Sequence, residues 1–197
     1  MLAILAGCSP PIEQANVAYD PTEAGGVAHA LCLLGFTAVP LRELASGHHV
    51  AEVTLGGRPG TFVVDTGANA TVLDAGQAGA FGLADRPARR GGAVGLGGTM
   101  EAAQVRIDSL AIGGVPIRQR QIMLTDLSQL ARLLSPLASQ PVHGIIGQDA
   151  LGAHRAVIDV RSSVLYLIRE DRDPAPVPAG RCGTEEPEPA LNATGTP

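Results

Sequence analysis

From His49 onward, apolar and polar residues alternate in short runs broken by glycine. Val50-Ala51-Glu52-Val53-Thr54-Leu55 alternates, Gly56-Gly57-Arg58-Pro59-Gly60 turns, and Thr61-Phe62-Val63-Val64 resumes, which predicts a β-hairpin. Further strands are expected at Gln104–Ile112, Ile117–Leu124, Val142–Ile146, Ala156–Val160 and Val164–Ile168. Leu130, Leu133 and Leu134 place a short amphipathic helix over Ser128–Ser135, with Pro136 ending it, and Gly147–Leu151 opens another. No helical pattern fits between His49 and about Asp74, and no internal repeat is apparent. The pattern therefore predicts an all-β body over residues 46–172. Ahead of it, the apolar stretch from Val27 to Val39 is shorter than a membrane span and contains His29 and Gly35. The segment 27–45 is expected to pack on the body as a helix or strand. Residues 1–26 read as an export-like N-terminus and loose linker. Residues 173–197 hold six Pro and no periodic apolar face, which predicts a disordered tail.

Composition narrows the chemistry. The 197 residues are 45% hydrophobic and 17% charged, with a net charge of −5, so there is a core to bury and no basic footprint for nucleic acid. Only 3% are aromatic, which leaves the core to Val, Ile, Leu and Ala. All 14 basic residues are Arg, which hints at a GC-rich bacterial genome and removes Walker A loops and Schiff-base lysines from consideration. The five His (29, 48, 49, 143, 154) lack zinc-ligand spacing, and no Ser lies in a G-x-S-x-G elbow. No metal and no cofactor is expected. Gly91–Thr99 never completes a G-x-G-x-x-G fingerprint, so a mobile loop is the better reading than a nucleotide site.

One segment carries chemistry. An apolar strand, Phe62-Val63-Val64, delivers Asp65-Thr66-Gly67, the small Ala68 follows, and Thr71-Val72-Leu73 resumes the strand pattern. Downstream, His143-Gly144-Ile145-Ile146-Gly147-Gln148-Asp149-Ala150-Leu151 leads from a strand into a short helix, and Ala156–Val160 with Val164–Leu167 forms a closing hairpin. Between them lies Gly91-Gly92-Ala93-Val94-Gly95-Leu96-Gly97-Gly98-Thr99-Met100.

These three segments, in this order, resemble the retropepsin-like aspartic proteases that carry one motif per chain. The resemblance covers most of 46–170. It implies a partly closed β-barrel lobe with one or two short helices, acting as an aspartic endopeptidase on a protein or peptide substrate. Asp65 would be the catalytic acid. Thr66 would bond the loop of the opposite copy and hold two carboxylates coplanar. Gly67 and Ala68 would leave room for water and substrate. The glycine-rich segment would be the flap, so that Gly97, Gly98 and Thr99, with Ala68, Gly144 and Ile145, would meet the substrate. The chemistry suits the residue types: two carboxylates about 3 Å apart cannot both ionise, so one serves as base and the other as acid. No second Asp is followed by Thr-Gly or Ser-Gly; Asp108-Ser109 comes nearest, with Leu110 in the glycine's place. One half-site per chain implies a C2 homodimer with an Asp65 from each copy. Asp159 reads as a structural strand-end acid and Asp149 as an acid favoured near a helix start. The competing function is a non-catalytic, protease-like dimeric binding or scaffold module at the cell envelope.

Leu5-Ala6-Gly7-Cys8 resembles the lipobox of bacterial lipoproteins, although the apolar part is short and no Arg precedes it. The implied location is the bacterial envelope or periplasm, with a membrane tether through lipidated Cys8. Cys32 and Cys182 then either pair, as an oxidising compartment permits, or stay as two unpaired thiols.

Overall fold

The computed structural model describes residues 26–95, 98–169 and 182. The expectations for Cys8, for Gly97 and for the tail beyond residue 173, Cys182 apart, lie outside the described residues.

The chain opens with helix α1 (Val27–Leu33) and strands β1 (Phe36–Pro40) and β2 (Arg42–Glu43). Then come β3 (His49–Leu55), β4 (Arg58–Val64) and β5 (Val72–Asp74), followed by a 3-10 turn at Ala75–Gln77. A long hairpin, β6 (Ala88–Gly95) and β7 (Gly98–Arg106), precedes the short β8 (Leu110–Ile112) and β9 (Val115–Ile117). Strand β10 (Gln121–Thr125), helix α2 (Ser128–Ala138), β11 (Val142–Ile146), α3 (Gln148–Ala153), β12 (Val157–Asp159) and β13 (Val164–Ile168) complete the body. The architecture is all-β with a few short helices, the fold class that the sequence predicts.

One ten-stranded sheet runs in the order β6-β7-β10-β5-β11-β4-β3-β8-β9, with β2 added on β3. A second sheet is β1-β13-β12. The main core spans both, from Phe62, Leu73 and Ile146 to Val39, Leu165 and Leu167. Burial of this apolar surface, on the order of 25 cal/mol per Å2, is what holds the strands in register. A smaller core forms where Leu134 and Ala138 of α2 cover Val50, Val63 and Val142. Helix α1 packs Ala28 and Leu31 against Tyr166 of β13, and a Cys32–Cys182 disulfide ties it to the far end of the chain. The open question of those two thiols is thereby resolved as a pair.

The predicted first hairpin is present, joined by Gly56 and Gly57, both at positive φ, so the turn takes two residues and β4 starts already at Arg58. Two long strand predictions break in the middle. Gln104–Ile112 divides into β7 and β8, because Ile107 donates its N–H to Arg120 while Ser109 accepts from Gly56. Ile117–Leu124 divides into β9 and β10, because the Arg118 N–H is taken by the His154 ring at 3.0 Å. Helix α2 runs through Pro136 to Ala138 instead of ending at it; burying Ala138 in the smaller core outweighs one lost hydrogen bond in the last turn. The glycines 91–95, expected as loop, form most of β6 by pairing with β7 from Ala88↔Val105 to Gly95↔Gly98.

Candidate active site

Strand β4 is buried between β3 and β11, and its last residue hands the chain to Asp65. The Asp65 N–H still bonds the Ile146 carbonyl at 3.1 Å, so the residue is fixed to the sheet even as the chain turns away. Its side chain folds back: Oδ1 accepts the Gly67 N–H at 2.8 Å. A Cβ on Gly67 would lie 3.2 Å from that oxygen, which is a reason for glycine here. Asp65 is half-buried, whereas Thr66 and Gly67 are exposed and Ala68 is half-buried. A carboxylate held by one backbone donor at an open face is a usable base.

The loop from Asp65 to Thr71 is held from below by the start of α3. Gln148 donates its backbone N–H to the Ala68 carbonyl at 2.8 Å and its Nε2 to the Thr66 carbonyl at 2.8 Å. Asp149 donates its N–H to the Asn69 carbonyl at 3.3 Å. Its carboxylate accepts the Thr71 N–H at 2.8 and 2.9 Å, the Thr71 hydroxyl at 2.8 Å, its own helix's Ala150 N–H at 2.7 Å, and Nε2 of Gln119. Thr71 Oγ1 in turn accepts the Gly147 N–H at 3.3 Å. One carboxylate thus receives four donors, and the loop has little freedom left. Close approach demands glycines beneath. A Cβ on Gly147 would sit 2.4 Å from the Ala70 backbone, and one on Gly144 only 2.2 Å from the Val72 carbonyl and 2.4 Å from the Phe62 ring.

Of the residues singled out from the sequence, Asp65, Thr66, Gly67 and Ala68 form one loop, and Ile145, half-buried, lies one residue before the carbonyl that holds Asp65. Gly144 is buried against Phe62 and Val72, where its contacts are packing contacts. Gly98 and Thr99 lie at the start of β7, opposite Gly95 and Val94 across the hairpin. Asp159 accepts the Ser162 N–H at 3.1 Å in a tight turn. The sequence reading missed the work done by Gln148, Asp149 and Thr71. Asp149 does stand in the first turn of α3, but its second task, holding Thr71, depends on a contact 78 residues away. The available signal was a run of apolar residues ending in Gly-Gln-Asp. Among the described residues no cluster of three or more His, Cys, Asp or Glu side chains is arranged to hold a metal ion.

His143 sits on the far side of this floor. Its Nδ1 accepts the Thr61 N–H at 3.0 Å and its ring meets Phe81 edge-on, with centroids 5.4 Å apart. Burial pushes its pKa below the ordinary imidazole value.

No curated protein sequence matches the chain. Among solved structures, a retropepsin-like aspartic protease from Rickettsia conorii superposes with a TM-score of 0.47 at 20% identity, over 68% of this chain and 98% of that one. The EIAV protease, solved with the inhibitor HBY-793, gives a TM-score of 0.39 at 23% identity, over 52% of this chain and 84% of that one. The aspartyl protease family model matches residues 51–150, just over half of the 197. That span takes in the Asp65 loop, β6 and β7, and the Gly147–Asp149 support beneath the loop, and by it the chain belongs to the aspartyl protease family.

Proposed function

We propose that the protein is an aspartic endopeptidase whose active site is assembled from the Asp65 carboxylates of two copies. The observation that carries this reading is the state of Asp65: it ends a core strand, its Oδ1 is fixed by the Gly67 N–H, and it is half-open beside exposed Thr66. One such carboxylate is half of the required pair, and the exposed Thr66–Gly67 edge is the surface on which a second copy would complete it. In the complete site, one carboxylate takes a proton from water as its oxygen attacks the peptide carbonyl carbon. The other, protonated, gives its proton to the carbonyl oxygen. Collapse of the tetrahedral adduct breaks the C–N bond, and a proton passes to the leaving amine. The β6–β7 hairpin acts as the flap over this site. Export to the cell envelope, with a tether through Cys8, fits the Cys32–Cys182 disulfide, which persists in an oxidising compartment.

The test is cleavage of a denatured protein or a peptide library by wild-type protein and by Asp65→Asn. The substitution keeps size and a hydrogen-bonding group but removes the base. Loss of cleavage with an unchanged melting transition supports the reading. Full cleavage by Asp65→Asn contradicts it, and binding without cleavage by the wild type favours a scaffold.

A further inference from the structure

One row of side chains crosses the sheet from the active-site floor to the free edge of the hairpin. Directly paired residues in adjacent strands lie on the same face. The pairs run Val63↔Ile145, Ile145↔Val72, Val72↔Met123, Met123↔Gln104 and Gln104↔Arg89, stepping through β4, β11, β5, β10, β7 and β6. The row begins at the catalytic loop: Val72 follows Thr71 at its end, and Ile145 precedes the residue whose carbonyl holds Asp65.

Its character changes along its length. Val63 is buried under α2. Ile145, Val72 and Met123 are half-buried apolar side chains that belong to none of the three hydrophobic cores, unlike their neighbours Ile146, Leu73 and Leu124. Apolar groups left out of every core on the face of the catalytic loop are placed to receive something. Beyond them comes half-buried Gln104, whose amide makes no hydrogen bond among the described residues, and then exposed Arg89, which has no ion pair among them. Arg106, two residues on from Gln104 and paired with Gln121, adds a second exposed cation. The same-face positions nearby on β6, β7 and β10 (Gly91, Ala102, Gln121 and Thr125) carry no charge, and the neighbouring acids are engaged elsewhere. Asp74 on β5, paired with Thr125, is buried and accepts the Leu127 N–H, and Asp108, two residues beyond Arg106, is bonded by Arg86. In a chain of net charge −5, this is a local positive end on an apolar strip.

We propose that this row selects substrates: an extended peptide with apolar residues over Ile145, Val72 and Met123, and a Glu or Asp side chain further along, bound by Arg89 and Gln104. This rests on the endopeptidase reading and names the peptides it would take. Strands about 4.8 Å apart put Arg89 about 14 Å from Val72, and an extended peptide covers that in about four residues. A guanidinium with an adjacent amide donor suits a carboxylate better than any neutral side chain does.

The experiment uses the full chain and three synthetic dodecapeptides that share a central apolar pair and carry Glu, Gln or Lys four residues away from it. Cleavage (kcat/KM) is measured with wild-type protein and with Arg89→Glu. Binding of the same labelled peptides to Asp65→Asn is measured by fluorescence anisotropy, as is binding to the double variant Asp65→Asn/Arg89→Glu. The expected order is Glu over Gln over Lys, with Glu ahead of Lys by about fivefold at low salt, shrinking as salt is raised. Arg89→Glu should reverse the order. If wild-type protein cleaves all three peptides within twofold of one another, the selection is wrong while the endopeptidase reading stands. If nothing is cleaved but binding shows the charge order and its reversal, the selection stands and the endopeptidase reading falls. If neither cleavage nor binding shows the order, the selection is overturned.

Discussion

The floor under Asp65 and the β6–β7 hairpin belong to the same sheet but are held in opposite ways. In the floor, the carbonyls of Thr66, Ala68 and Asn69 are each bonded by the start of α3, and Asp149 gathers four donors. Phe62, Leu73 and Ile146 lie beneath it, fully buried or nearly so. In the hairpin, among the described residues, β6 pairs with β7 alone and no strand pairs with its other edge, and Ala88, Arg89, Arg90, Gly91 and Gly92 are all exposed. Stability is drawn from buried contacts and satisfied polar groups, so the two regions differ in how easily they open. The comparison teaches that this chain fixes the Asp65 loop and attaches the hairpin along one edge only, the division that the proposed flap role requires of a rigid site closed by a moving hairpin.

Paired substitutions break or sharpen that contrast, beginning with the largest effect. Asp149→Ala should destabilise the fold by about 3 kcal/mol, since it strands several donors around Thr71. Urea midpoints would show it, and Asp149→Asn, which keeps one accepting oxygen, should recover part of the loss. A fall below about 0.5 kcal/mol would mean that the floor is not held as described. Next, Gly144→Ala should cost about 2 kcal/mol, because its Cβ would enter the Val72 carbonyl and the Phe62 ring. Gly91→Ala in the hairpin, where a Cβ meets nothing within 4 Å, should shift stability by less than about 0.5 kcal/mol. Equal effects of the two would erase the distinction between floor and hairpin.

The smallest expected effect is one of pH. Burial keeps the folded-state pKa of His143 below its unfolded value, so the unfolded chain binds a proton first as the solution is acidified. Stability from this group is full above the ordinary imidazole value and is lost as pH falls through it toward the lower folded value. His143→Gln, which cannot protonate, should flatten the decline in melting temperature between pH 7.5 and 5.5; an identical slope would assign that decline to other groups.

Much of the floor was legible in the sequence because local and tertiary demands coincide there. The alternation of β3 and β4 and the Gly56-Gly57 turn each read correctly on their own, and Asp65-Thr66-Gly67 stands, as expected, directly after the apolar strand β4. The hairpin was harder. Gly91, Gly92 and Gly95 have poor intrinsic strand preference, and only pairing with β7 makes them a strand. The runs 104–112 and 117–124 looked continuous because the hydrogen bonds that break them, from Gly56, Ile107 and Arg118, come from or go to distant segments. Gly144 and Gly147 drew attention as part of a motif, but the reason for glycine at each is an approach by Val72 and Ala70 that no local pattern reveals. Likewise, the pairing of Cys32 with Cys182 spans 150 residues and rests on α1 lying over β13.

The central claim is that two Asp65 carboxylates act together, and mixing tests it most directly. Asp65→Asn protein is added to a fixed amount of wild-type protein under conditions that let subunits exchange, and the cleavage rate is followed. If the site is shared, each mixed dimer has one carboxylate, and an equal amount of variant should cut the rate to about half by random pairing. Further additions should lower it more, in proportion to the surviving wild-type pairs. A rate that stays constant as variant chains accumulate, with exchange verified, would show that one chain suffices and contradict the account.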